Sequence, residues 1–129
     1  MHKETDRRAT RSSVARFALD YQLEACRREA SLWAMFVADH AGYLVAQVGD
    51  VDACEAVAAE LPLVAKKAEV FSGTLPCEGR AYRIAMRRFA VEGRHFFACA
   101  VGRTGTTSLR ELERSVSAAQ RIMSWDAGP

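Results

Sequence analysis

Asp39 and His40 stand side by side in the stretch ADHAGYLVAQVG, and a carboxylate beside an imidazole is the acid–base part of many hydrolytic sites. Adjacent residues of an extended chain point to opposite sides, so this pair is badly placed to act on one proton. An Asp at the start of a turn caps its own backbone well. Gly42 supplies a residue able to take positive φ, and the stretch reads as a hairpin corner. No G-x-S-x-G, H-E-x-x-H or P-loop pattern occurs elsewhere. GRTGTTS, Gly102 to Ser108, is a Gly-containing loop ahead of a helix, a setting in which anions bind. It lacks the glycine spacing and the lysine of a nucleotide loop, and reads as the cap of the last helix. His95 has no second histidine near it in sequence and reads as structural. No residue is assigned a catalytic role, and the chain is read as a non-enzyme.

Four cysteines, Cys26, Cys54, Cys77 and Cys99, are spread along the chain without a C-x-x-C pair. Zinc ligands come in close pairs because a short loop pre-positions two of them, so no metal site follows, and no cofactor motif is present. Cys26, Cys54 and Cys99 lie in apolar surroundings and read as small core residues. Cys77, in LPCEGR, reads as an inert surface thiol.

The arginines offer a different chemistry. Arg80, Arg83, Arg87, Arg88 and Arg94 fall on two neighbouring strand-like runs. Arg83 and Arg87 share a face, away from Tyr82, Ile84 and Met86. That face is either solvated, with charge discouraging aggregation, or a surface for an acidic partner or a phosphate-bearing ligand, since Arg grips carboxylate and phosphate bidentately. Arg83, Arg87 and Arg88 are therefore the candidate partner-binding residues. A net charge of +2 and the lack of interleaved aromatics argue against nucleic acid. Apolar runs such as SLWAMFVA fall far short of the ~20 residues that span a bilayer. The opening MHKETDRRATRSS lacks the apolar core of a signal peptide, and a cytoplasmic location is expected.

The elements that must position these residues follow from periodicity. At 129 residues the chain fits one domain, expected over 13–125, with a disordered leader at 1–12 and a tail at 126–129. From Ser13, Val14, Phe17, Ala18, Tyr21 and Ala25 recur at helical spacing, and Leu19, Leu23 and Cys26 form a second apolar stripe. The helix should be sandwiched and stop by about Ser31. LWAMFVAD and YLVAQVG read as a strand hairpin. DVDACEAVAAELPLVAKKAEVF reads as an Ala-rich helix capped by Asp52 with Glu55, kinked or divided at Pro62 and fading near Lys66 and Lys67. A short edge strand is expected at roughly Glu69 to Leu75. The strands RAYRIAMRRFAVE and RHFFACAVGR follow, the first with a bulge expected where alternation slips at Arg88 and Phe89. A last helix starts at Ser108, capped with Glu111, with Leu109, Leu112, Val116, Ala119 and Met123 on its apolar face. Hairpins joined by helices imply an α+β domain: an antiparallel sheet of four or five strands with helices on its faces.

This order, together with FVADHAGYLVAQVG as a first hairpin and FFACAVG leading toward the final helix, resembles the roadblock, dynein light-chain-like family. The resemblance covers about Val14 to Met123. It implies a non-enzymatic dimeric adaptor or regulator that binds a Ras-like small GTPase or a scaffold protein. GAF-like sensory domains share nearly the same layout, and the alternative is a module enclosing a small ligand. An open sheet favours the first reading and an enclosed pocket the second. Homodimerisation also has its own motive. The second helix presents more small apolar surface than one sheet can cover, and the expected edge strand carries Val70, Phe71 and Leu75 with little protective charge. Val57, Ala58, Val70 and Phe71 are the candidate dimer contacts.

Overall fold

The computed structural model describes residues 3–64, 68–102 and 109–124, with side chains described from Val14 onward except at 109. Its elements run α1 (Lys3–Glu29), β1 (Ala34–Asp39), β2 (Leu44–Gly49), α2 (Val51–Val64), β3 (Val70–Cys77), β4 (Arg80–Val91), β5 (Arg94–Gly102) and α3 (Leu109–Met123). The fold is α+β, as expected. Its five strands form one antiparallel sheet in the order β2-β1-β5-β4-β3. The chain crosses from the β1–β2 hairpin, through α2, to the far edge at β3. It then returns by two hairpins until β5 lies beside β1.

Helices cover both faces of this sheet. On one face, Met35, Val37, Ala85, Phe89, Phe96, Ala98 and Ala100 pack against α1, through Leu19, Leu23 and Cys26, and against α3, through Leu112, Val116, Ala119 and Ile122. On the other, Phe36, Leu75, Tyr82, Ile84, Met86, Phe97, Cys99 and Val101 pack under α2, through Ala53, Cys54, Val57, Ala58 and Leu61. Burial on both faces explains why Ala34 to Ala38 form an unbroken buried run rather than an alternating one.

The same layering explains the departures from the sequence reading. Of the two stripes on α1, Leu19, Leu23 and Cys26 enter the core, whereas Val14, Phe17 and Tyr21 are exposed at 54%, 74% and 72%. The helix starts at Lys3, so it includes most of the segment expected as a disordered leader, which is charged at both signs and contains neither Gly nor Pro. No bulge interrupts β4 at Arg88 and Phe89: its register with β5 is continuous from Arg83 opposite Gly102 to Val91 opposite Arg94. Phe89 simply faces the α1/α3 layer while Met86 faces α2, so each is buried by a different helix layer. A register shift occurs instead in β1, between Val37 and Ala38. α2 opens at Val51, directly after β2 ends at Gly49, and is capped by Asp50, whose Oδ1 accepts from the Ala53 N–H at 3.1 Å, two residues before the expected cap at Asp52. The expected fading of α2 at Lys66 and Lys67, the Ser108 cap, the loop Arg103 to Ser108 and the tail at 126–129 lie outside the described residues.

Pro62 does not divide α2, which continues to Val64. Lacking an N–H, Pro62 cannot donate to the Ala58 carbonyl. The β1–β2 corner packs at this spot. A Cβ on Gly42 would lie 2.7 Å from the Ala58 oxygen and 3.1 Å from the Pro62 ring, and Gly42 has φ +92°. Only glycine lets the hairpin and helix approach this closely.

Candidate functional site

Asp39 ends β1, and its Oδ1 accepts from the Ala41 N–H at 2.9 Å and the Tyr43 N–H at 3.0 Å. The Asp39 carbonyl accepts from Gly42 N–H at 3.0 Å. This carboxylate closes a turn. His40 is exposed in that turn, and His95 is exposed near the start of β5.

One uncovered edge of the sheet is at β3. As the last strand in the order, β3 pairs only with β4 among the described residues, so one backbone edge lies open there. The strand is longer than expected, and it contains Pro76. A proline can sit in such a strand only where its nitrogen points away from the neighbour. Residues of a strand alternate in the direction of their N–H and C=O groups. Val70, Ser72 and Thr74 share Pro76's parity and therefore direct theirs outward. Phe71, Gly73, Leu75 and Cys77 direct theirs to β4. The flanking bond from Arg88 N–H to the Glu69 carbonyl, 2.7 Å, lies on the parity that faces β4.

The two faces of β3 also differ. Leu75 and Cys77 are buried beneath α2 and Phe71 is partly so, while Val70, Ser72, Thr74 and Pro76 are exposed. α3 rides over β4 and β5 and does not reach this edge: Glu113 meets Arg87 at 2.8 Å, and Gln120 donates to the Ala90 carbonyl at 3.3 Å.

The candidate residues are placed unevenly. Arg83 and Arg87 lie on the α1/α3 face of β4, whereas the intervening parity puts Arg88 on the α2 face. The three do not form one cluster. Arg80 is exposed at the start of β4, and Arg94 lies 5.6 Å over the Phe96 ring. Among the dimer candidates, Val70 is exposed at 45% and Phe71 is half-buried at the edge, but Val57 and Ala58 are buried against their own sheet. The exposed side of α2 carries Asp52, Glu55 and Ala59, and the apolar Leu63 and Val64 near its end. Sequence reading missed Ser72, Thr74, Leu63 and Val64. Pro76 was the usable signal for the first two, because it fixes which residues of the strand face outward.

Among the described residues, two grooves flank these elements. One, about 350 Å³, is lined by Asp52, Glu55, Glu78 and Arg80 with Ala56, Ala59, Cys77 and Tyr82. The other, about 380 Å³, lies between α1 and α3 and is lined by Gln22, Glu113, Arg114, Ser117, Ala118 and Arg121. Both are dominated by charged and polar groups, unlike the mostly apolar pockets that enclose small ligands. All four cysteines are buried and unpaired, Cys77 included, which corrects its reading as a surface thiol. Burial raises the thiols of Cys54, to about 12, and of Cys77 and Cys99. Such thiols are inert as nucleophiles. Among the described residues no group of acidic, His or Cys side chains is arranged to hold a metal, and no helix is long and apolar enough to cross a membrane.

No protein-family model matches the chain, and no curated protein matches it in sequence. Solved structures do match in fold. An MglB in a tetrameric arrangement superposes with a TM-score of 0.61 at 15% identity, over 87% of this chain and 92% of that one. The gliding protein MglB of Thermus thermophilus gives 0.51 at 17% identity, over 84% and 90%. MglB of Myxococcus xanthus gives 0.50 at 12% identity, over 84% and 86%. The chain therefore has the roadblock-like fold that its element order resembles.

Proposed function

We propose that the protein is a non-enzymatic, dimeric regulator or adaptor that binds a Ras-like small GTPase or a scaffold protein. The observation that carries this reading is the open edge of β3. Val70, Ser72 and Thr74 direct backbone groups outward there, and no charged side chain guards the strand, although exposed edges are normally blunted by charge. A second copy supplies the matching edge by twofold symmetry. Pro76 restricts the register, because its position cannot donate. Pairing centred on Ser72, with Val70 opposite the second copy's Thr74, uses every outward donor and leaves Pro76 outside the ladder. At the edge itself, the exposed Val70 and the half-buried Phe71 supply apolar surface for the contact. Val57 and Ala58 act instead by holding α2 on the sheet. The fold shared with MglB proteins and the polar lining of both grooves support a protein-binding role over a ligand-enclosing, GAF-like one.

Two measurements test the reading. Light scattering at micromolar concentration should give a dimer mass. Immobilised protein should then retain a Ras-like GTPase from lysate of its own cell, with the nucleotide state of the GTPase changing the yield. A monomer that captures no GTPase and no scaffold protein, and that co-purifies with a small molecule, would overturn the proposal in favour of a sensory module.

A further inference from the structure

On the α1/α3 side of the sheet, β3 forms an exposed floor beside β4, whose Ala85 is covered and whose Arg83 and Arg87 are half-buried. Val70, Ser72, Thr74 and Pro76 are exposed along β3. The register sets Thr74 opposite Arg83, Ser72 opposite Ala85, and Val70 opposite Arg87. The result is a strip of small and hydroxyl-bearing residues with a guanidinium at either end. No acidic residue lies on this face of either strand, since the remaining β4 positions of that parity are Ala81, Ala85, Phe89 and Val91. Arg83 Nε is buried and has no hydrogen-bond partner among the described residues. A buried donor left unmade is costly, and a charged one calls for a carboxylate or similar acceptor. Arg87 is engaged by Glu113 through one Nη at 2.8 Å, with the two side chains 37% and 49% exposed. Its other N–H groups stay available, because a guanidinium carries five donors.

We propose that this floor is a docking site for an acidic, extended segment of a protein partner, with one carboxylate on Arg83 and another on Arg87. It goes beyond the self-pairing assigned to β3, which uses the backbone edge of the strand rather than this face. The geometry selects the occupant. Arg83 and Arg87 are four positions apart on a strand, about 13 Å between Cα atoms. Acidic residues four apart on an extended segment match that interval, while Ser72 and Thr74 lie between the arginines to bond the segment's polar groups. Arg–carboxylate pairs are charge-assisted and directional, so two of them fix both the position and the register of the segment.

The test is fluorescence anisotropy with the full chain and a fluorescein-labelled peptide of β-forming residues carrying two Glu four positions apart. The same peptide with Gln at both positions is the comparison. The Glu peptide should bind at least about tenfold more tightly, and added salt should weaken it. R83Q/R87Q should lose about tenfold in affinity or more, and R83K/R87K should lose less. R80Q/R94Q removes equal charge elsewhere and should bind as the wild type does. The proposal is overturned by equal binding of the two peptides, by unchanged binding in R83Q/R87Q, or by equal weakening in R80Q/R94Q. Displacement of the Glu peptide by low concentrations of inorganic phosphate would also overturn it, reassigning the floor to small anions. Should R83Q/R87Q lose its fold by circular dichroism, R87Q alone and the two-peptide comparison decide the matter. Mass measurements on the same samples separate this inference from the dimer. A monomer that binds the Glu peptide sinks only the dimer, and a dimer that does not bind sinks only the docking site.

Discussion

Ser72→Pro discriminates between edge pairing and every other mode of association. Ser72 shares Pro76's parity, so its N–H points to the open side and contributes nothing to the β3–β4 ladder. Proline is also compatible with the preceding extended residue, Phe71. The monomer should therefore lose under about 1 kcal/mol, the cost of adjusting φ at an edge position. The dimer should lose far more. In the register centred on Ser72, the two copies exchange both N–H···O bonds at this pair, and the substitution deletes both. Each is worth about 0.5–1.5 kcal/mol net, and each carbonyl left in the contact without a donor adds about 1 kcal/mol or more. The sum is about 3–5 kcal/mol, which raises the dissociation constant by roughly a hundredfold or more. Sedimentation velocity over a dilution series reads this directly, beside a urea melt that reports the fold. Gly73→Pro gives the contrast: it removes a donor that faces β4 and should destabilise the chain itself. A Ser72→Pro protein that dissociates at the wild-type concentration refutes edge pairing in this register. A Ser72→Pro protein that fails to fold refutes the parity deduced from Pro76.

Other outcomes follow from the same geometry. Gly42→Ala places a Cβ against the Ala58 oxygen at a position with φ +92°, and should cost roughly 2–3 kcal/mol in urea denaturation. Asp39→Ala loses an acceptor serving two N–H groups and should cost about 1 kcal/mol, Asp39→Asn less, and His40→Ala almost nothing; none should alter an identified binding activity. Thiol titration with a disulfide reagent at neutral pH should find the buried cysteines slow in the native protein and all four fast in urea. Stability should also fall in alkali. The folded state holds the Cys54 proton to about 12 against an ordinary 9.0, so its contribution is fully present below pH 9 and is lost as pH climbs toward 12, the unfolded chain releasing the proton first.

The element order was legible because each element carries its own period: alternation in RAYRIAM, helical spacing from Ser13, and an alanine-rich run with no competing pattern. The errors share one physical origin, which is that a period identifies a stripe without saying what meets it. On α1 two stripes compete, and the choice of Leu19, Leu23 and Cys26 depends on the sheet and α3 being there to receive them. Val57 and Ala58 count as surplus surface only when coverage is reckoned helix by helix. In the fold they face the sheet, and the exposed apolar residues, Leu63 and Val64, lie near the helix end instead. Phe89 looks like a slipped register only on the premise that one face of β4 is wet. With both faces covered, Met86 and Phe89 are buried on opposite sides without any bulge. The candidate site was half legible for a related reason. Alternation correctly pairs Arg83 with Arg87, but the same alternation sends Arg88 to the α2 face, so proximity in sequence overstates the cluster. What makes the pair a surface is the reach of α3, which covers β4 and stops short of β3. The extent of one helix over a neighbouring strand is a tertiary property, and no period in either segment records it. Pro76 is the exception: a single residue whose missing N–H fixes its strand at the edge and names the outward positions. A strand run containing proline in a chain with an otherwise unguarded edge is thus a sequence-level sign of where such a sheet is open to a partner, and Ser72 is where it is most directly tested.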